Sequence, residues 1–432
     1  MSVTTCDFCG RPRNEVKNLV VANPEKGPSI CNRCIVQAAS SLEAGAEKGG
    51  FEVKKEEPLK KPFEIKAHLD EFVIGQEQAK IAIATVVYNH FKRRRWADEQ
   101  SVDGSPKVEI KKSNILFLGP SGTGKTLLFE TLARMLNVPF HVGDATTLTQ
   151  AGYVGADVET LIQGLILDAG GDVERAQWGI VFLDEVDKIA RGSGRDRAGY
   201  RDVSGEGVQQ ALLKLLEGST VAVPRGMGKA GAGMQTFDLV DTTNILFICA
   251  GAFAGIDEIV ARRLNKRSSM GFGAVEKEKV DKTRGYTEVT EQDVLDFGII
   301  PEMSGRLPII TSTIELTEDQ LVEILVKPRN SIVKQVQALF KMDGVDLEFD
   351  PESLIEIAKR AKEKPTGARA LRSLVEQTVR KISYEAPNNP DIEKVVVTKQ
   401  AVEGGDCMIT LRESEPADIP PRGETPPAKA EA

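Results

Sequence analysis

No apolar run in this chain of 432 residues is long enough to cross a membrane: ILFICAGAFAGI falls short of the roughly 20 residues that a span needs. The first residues, MSVTTCDFCG, lack the basic and apolar character of an export leader, so the expectation is a soluble, globular, cytoplasmic protein. A basic excess is missing too. The 56 Lys and Arg against 64 Asp and Glu leave a net charge of −8, which does not favour general attraction to nucleic-acid phosphates. The one locally basic run, FKRRRWADEQ, meets acidic residues at once and reads as a solvated helix face. No repeat architecture is visible.

Cysteine is sparse, at six residues, yet four of them are paired as CDFC and CNRC: Cys6, Cys9, Cys31 and Cys34. A two-residue gap lets both thiolates of a pair face one ion, and two pairs complete a closed tetrahedral shell. This pattern predicts a structural zinc site whose metal supplies the folding energy of a module too small for a large core. Cys249 and Cys407 lie in apolar, strand-like runs and read as packing residues.

Texture along the chain divides it into a zinc-binding module over 1–40, a Gly-, Lys-, Glu- and Pro-rich flexible linker over 41–62, and a folded remainder. Over 63–315, NILFLG, VPFHVGD, GIVFLDE and NILFICAG read as buried strands alternating with amphipathic helices. That alternation predicts a three-layer α/β domain on a parallel sheet. Over 316–412 the helical period takes over, starting with a capping box at Thr317 and Gln320, and a smaller helical domain is expected. The Pro- and charge-rich tail, 413–432, reads as disordered.

GPSGTGKT follows the strand NILFL and precedes a helix, the context that a phosphate-binding loop requires. Gly119, Pro120, Ser121, Gly122, Thr123 and Gly124 form that loop, whose glycines let backbone N–H groups wrap the phosphates. Lys125 would reach the β and γ phosphates, and Thr126 would help hold magnesium. In GIVFLDEVDK, Asp184 emerges at a strand's carboxyl end, where it can hold magnesium through water, and Glu185 can polarise the attacking water. The stretch TQAGYVGADVET is unusual in another way. Tyr153 sits between Gly152 and Gly155 in polar surroundings, which is not how a core tyrosine is usually set.

These motifs, with LDEFVIGQEQAK, VVYNHFKRRR, RDVSGEGVQQALLKLLEG, GAFAGIDEIV, IIPEMSGRLP and GARALRSLVE, resemble the ClpX family of AAA+ unfoldases over nearly the whole chain. The resemblance implies an ATPase that unfolds and threads protein substrates into the ClpP peptidase, acts as a homohexamer, takes substrates from adaptors, and uses ATP, magnesium and zinc. It implies that Val73 and Ile74 line the adenine pocket and that Arg306 is an arginine finger reaching a neighbouring subunit's nucleotide. Arg369 is implied as an in-cis sensor. Read without the family, both arginines would pass for surface salt-bridge partners.

Three loops are implied to face the ring axis. Tyr153 and Val154 grip substrate on the first, Arg201–Gly207 is the second, and the third, RGMGKAGAGMQTF, lacks the family's Arg-Lys-His cluster. Met270, Gly271 and Phe272 are implied to dock the peptidase, with Met270 where the family has a branched aliphatic residue. No sensor is assigned in NILFICAG. Two competing functions are a zinc-containing nucleic-acid remodelling ATPase and an adaptor-binding protein whose ATPase is only a switch. The acidic charge, the aromatic loop and MGFG weigh against the first.

Overall fold

The computed structural model describes residues 5–13, 16, 19–21, 29–32, 34, 59–103, 110–149, 157–191, 205–224, 237–268, 282–364 and 366–412. Most of the expected linker and the tail over 413–432 lie outside these residues. The chain divides into two units, Met1–Leu59 and Lys60–Ala432. In the first, β1 (Leu19–Val21) and β2 (Ser29–Cys31) pair antiparallel with Leu19 opposite Cys31.

The second unit begins with α1 (Pro62–Asp70) and α2 (Glu77–Asp103). Pro62 opens α1, and the Glu64 carboxylate accepts from the Lys61 N–H at 2.7 Å, satisfying a donor that the helix cannot. The buried Lys80 of α2 donates to Asp70 at 2.7 Å and locks the two helices together. Strands and helices then alternate: β3 (Ile115–Leu118), α3 (Lys125–Leu136), β4 (Phe140–Asp144), α4 (Thr160–Asp168), α5 (Val173–Ala176), β5 (Ile180–Asp184), α6 (Glu206–Glu217), β6 (Thr220–Pro224), β7 (Phe237–Asp241) and β8 (Leu246–Gly251). The lobe closes with α7 (Ile256–Ser268), α8 (Lys282–Thr287), α9 (Glu291–Phe297), α10 (Pro301–Ser304) and β9 (Ile309–Ser312).

Five strands form one sheet in the order β4-β5-β8-β3-β9, every neighbouring pair parallel. Each residue of β3 and β8 is buried, so both faces of the sheet are covered, which is why these strands read as unbroken apolar runs. The antiparallel pair β6–β7 stands apart from the sheet and was not expected from the sequence.

The last lobe comprises α11 (Glu318–Val326), α12 (Ile332–Met342), β10 (Asp346–Phe349), α13 (Pro351–Glu363), α14 (Arg369–Glu385), β11 (Ile392–Val397), α15 (Lys399–Val402) and β12 (Met408–Leu411). Its opening capping box forms as expected: the Gln320 N–H donates to Thr317 Oγ1 at 3.2 Å and the Thr317 N–H to Gln320 Oε1 at 3.0 Å. To the helices foreseen here the structure adds a three-stranded sheet, β10-β11-β12. Each lobe has its own apolar core, one around Leu183, Leu212 and Phe247 and the other around Leu321, Leu371 and Val395.

The basic run in α2 does not form the solvated face expected of it. Arg93 donates to Thr243 O and Asn244 Oδ1, both at 3.0 Å, and the Arg94 guanidinium lies over the Trp178 ring. Carbonyls and an aromatic face offered by the neighbouring turns receive these cations, although burial lowers the affinity of Arg93 for its proton.

Candidate active site and metal centre

The four cysteines converge, with their sulfurs all within 4.8 Å of one another. Cys9 Sγ and Cys31 Sγ are 3.7 Å apart. A zinc ion with bonds of about 2.3 Å to four sulfurs places them about 3.8 Å apart, so the cluster fits that ion. The local fold sets the pocket: Gly10, at φ +71°, turns the chain so that its N–H donates to Cys6 O at 2.7 Å, and the Cys31 N–H donates to Cys6 Sγ at 3.2 Å. Burial alone would raise the Cys6 thiol, but N–H groups of Cys9, Cys31 and Phe8 bring it down to about 6. Burial and the neighbouring sulfurs push Cys34 up to about 12. Crowded thiols cannot all ionise unaided, and a dication removes that conflict.

In the second unit the loop Gly119–Gly124 joins β3, which lies between β8 and β9 in the sheet, to α3. Gly119 has φ +147° and a Cβ there would lie 2.0 Å from Thr313 Oγ1; Gly122 has φ +80° and its Cβ would lie 2.4 Å from Thr366 O. No side chain is tolerated at either place, because the loop is pressed against the start of the inter-lobe connection and against the loop before α14. Thr123 donates to Pro120 O at 2.9 Å and shares a 2.6 Å hydrogen bond with Thr313 Oγ1. Lys125 opens α3, is buried, and donates to Gly119 O at 2.6 Å and Pro120 O at 3.0 Å. Burial lowers its affinity for a proton, Asp184 and Asp187 oppose that, and Arg369 adds to it. The loop therefore concentrates positive charge and free N–H groups at a helix start, which suits an anion.

A cleft of about 380 Å³ runs over this loop, lined by Val73, Ile74, Gly122–Thr126, Leu316, Ile324 and Arg369 among others. A lining that combines apolar side chains with Lys125 and Arg369 suits a base and its phosphates. Val73 and Ile74 lie in the α1–α2 connection, which the Gln76 amide fixes by two bonds to Ile314: Nε2 donates to its carbonyl at 2.8 Å and Oε1 accepts from its N–H at 2.9 Å. Arg369 is the first residue of α14, so the carboxyl-terminal lobe supplies one wall.

Asp184 ends β5 and accepts the Glu185 N–H at 2.9 Å. Glu185 has φ +58° and ψ +29°, a left-handed conformation that costs a residue with a Cβ about 1–2 kcal/mol. Asp187, which the sequence reading passed over, is buried and accepts the Ala252 N–H at 3.1 Å just past the end of β8. Its signal was a third carboxylate directly behind an apolar run.

Arg306 lies outside the cleft lining, exposed, with its guanidinium 2.8 Å from Glu217 Oε1. Cys249 is fully buried, and burial pushes its thiol up to about 12, in keeping with a packing role. Tyr153, Val154, Met270, Gly271, Phe272 and the loop with the missing Arg-Lys-His cluster lie outside the described residues. Among the described residues no helix is long and apolar enough to cross a membrane.

Comparison with known proteins agrees with this arrangement. A family described as ClpX C4-type zinc finger matches residues 4–44, the AAA domain (Cdc48 subfamily) matches 110–310, and the C-terminal, D2-small domain, of ClpB protein matches 316–398. The ATP-dependent Clp protease ATP-binding subunit ClpX of Treponema denticola is 45% identical over 399 residues, 92% of this chain and 93% of the relative. A likeness of that extent, carried by a zinc module and an ATP-hydrolysing domain together, shows that the chain belongs to the ClpX family of AAA+ ATPases.

Proposed function

We propose that this chain is an ATP-driven protein unfoldase and translocase that works as a homohexamer in the cytoplasm and delivers protein substrates to the ClpP peptidase. The observation that carries the reading is a phosphate loop closed over by Arg369 of a second lobe, on the same chain as a ClpX-type four-cysteine module. Within it we assign 1–40 to the zinc module, 41–62 to the linker, 63–315 to the large ATPase domain, 316–412 to the small domain and 413–432 to a tail.

Val73 and Ile74 hold the base, and the loop Gly119–Thr126, through the N–H groups of Ser121–Thr126, and the Lys125 ammonium hold the phosphates. Thr126 and Asp184 hold magnesium, which when bound neutralises charge between the β and γ phosphates. Glu185 takes a proton from the attacking water. Arg369, from the same chain, and Arg306, from a neighbour, meet the charge that develops on the γ phosphoryl group. Tyr153 and Val154 grip the polypeptide without reading its sequence, since an aromatic face gives broad contact at little entropic cost. Met270, Gly271 and Phe272 dock the peptidase. A nucleic-acid motor is disfavoured by the acidic charge and by the family.

The decisive experiment mixes the purified chain, ATP and a stably folded, tagged fluorescent reporter, with and without ClpP. Loss of native fluorescence that requires ATP, followed by degradation only when ClpP is present, is the expected result. Hydrolysis stimulated by DNA or RNA but not by unfolded protein would overturn the reading.

A further inference from the structure

Two fully buried amide side chains bracket α6, and both bind the segment that leads to Arg306. Near the start of α6, Gln209 Nε2 donates to Ile189 O at 2.7 Å and to Gly298 O at 3.3 Å, and its Oε1 accepts the Ile300 N–H at 2.8 Å. Near the end of α6, Asn114 Nδ2 donates to Leu216 O and to Arg306 O, each at 3.0 Å. Asn114 Oδ1 accepts the Phe247 N–H of β8 at 3.4 Å.

Other contacts tighten the same bracket. The Arg191 N–H donates to Gly298 O at 2.9 Å, and Gly298, at φ +122°, has no room for a Cβ, which would lie 2.5 Å from Arg191 O. At the far end of α6, Glu217 is the residue that holds the Arg306 guanidinium.

We infer that Gln209 and Asn114 are positioning residues that join α6 to residues 298–306, so that α6 and Arg306 shift as one body. The helix spans 12 residues, about 18 Å from end to end. Asn114 directly precedes β3, the strand that enters the phosphate loop, and Ile189 closes the short helix that follows Glu185. Gln209 satisfies backbone groups of two segments and Asn114 of three, so a shift of one segment that leaves the others behind strands a buried polar group. Polypeptide engaged where the chain enters α6, at Gly205–Gly207, would thereby change the placement of Arg306. This rests on the proposed roles of that segment and of Arg306.

The test uses the full chain, ATP, and reduced, carboxymethylated α-lactalbumin as a permanently unfolded probe. In Gln209→Met and Asn114→Leu, ring assembly and KM for ATP stay within about twofold while stimulation by the probe disappears and kcat falls about 10- to 100-fold. Gln209→Glu is the conservative rescue. Its protonated carboxyl can still donate to Ile189 O and accept from the Ile300 N–H, so stimulation returns as the pH is lowered through the raised range of a buried carboxyl. Leu212→Val loosens the same helix without touching either amide and keeps its stimulation.

Full stimulation in the two amide variants, equal loss in Leu212→Val, or no recovery of Gln209→Glu at low pH would overturn the inference. Arg306→Ala is run alongside. Normal hydrolysis in that variant would remove the finger assignment itself, a result distinct from intact coupling in the amide variants beside an inactive Arg306→Ala.

Discussion

Replacing Glu185 by Gly should make the protein more stable and catalytically dead at once. The side chain is exposed, so its loss forfeits little packing. The backbone at φ +58°, ψ +29° is easy for Gly and costs a residue with a Cβ about 1–2 kcal/mol. Against that gain stands the extra freedom of Gly in the unfolded chain, about 0.5–1 kcal/mol. The Glu185 N–H bond to Asp184 Oδ1 and the Lys188 N–H bond to Glu185 O involve only backbone atoms of residue 185, so both survive. The balance is roughly 0–1.5 kcal/mol in favour of Gly, about 0.75 kcal/mol at the midpoints, or about 2–3 °C in Tm for a domain of this size. Calorimetry must be done without nucleotide, because ligand binding raises Tm by mass action. Glu185→Gln is the control: it keeps the strain and the shape, so its Tm stays at the parent's value while hydrolysis falls about 10²- to 10⁴-fold, the usual contribution of a general base. A Gly variant no more stable than the Gln variant would refute the strain argument, and one that still hydrolyses ATP would refute the role of Glu185.

Chelation should unfold the amino-terminal module and leave the ATPase lobes intact, so that the far-ultraviolet circular dichroism of the isolated module turns to that of an unfolded chain while the melting of the remainder holds; a module that stays folded without metal refutes the site. Burial, with Arg93 beside it and Asp241 opposing, brings the Lys112 ammonium down to about 7 from 10.5. The unfolded chain then binds more protons between those values, so Lys112 makes the parent's stability rise with pH from about 7 to 10. Denaturant midpoints of the parent and Lys112→Met should diverge over that range, and a constant gap would mean that Lys112 keeps its proton throughout. Mixing Arg306→Ala with Glu185→Gln subunits should restore some hydrolysis, since one intact site needs Glu185 from one chain and Arg306 from the next. Mixed rings no better than either parent variant would refute a shared site.

Four of the five strands of the large sheet were legible, β3, β4, β5 and β8 falling where NILFLG, VPFHVGD, GIVFLDE and NILFICAG stand: β3, β5 and β8 are apolar runs buried almost throughout, whereas β4, at the sheet edge, is only half-buried, and β9 was not read. The strands that went unseen are of another kind. In β6 buried and exposed residues alternate over only five positions, too few for the period to stand out, while β12 continues the apolar, strand-like run around Cys407 but exposes all four of its residues. The fate of the basic run in α2 was also hidden, because charge pattern says which residues are cations but not which face of the helix meets Thr243, Asn244 and Trp178.

The site divides along the same physical line. The phosphate loop and the cysteine pairs could be read directly, because their chemistry constrains residues adjacent in the chain: glycines for the backbone path, Lys125 at the helix start, thiols two residues apart. Val73, Ile74 and Arg369 were reached only through the family, since nothing in their own neighbourhoods marks the cleft on which they converge. Gln76, Asn114, Thr313 and Gln209 were not reached at all. Gln76 bonds to the backbone of Ile314, 238 residues away, and Asn114 to that of Arg306, 192 away. A backbone carbonyl or N–H is offered by nearly every residue, so such a partner leaves no trace in composition or spacing, and only the fold selects it. Polar residues that hold distant backbone together are thus the part of this machine that sequence conceals, and they lie where the lobes and the loop around the nucleotide cleft must keep register.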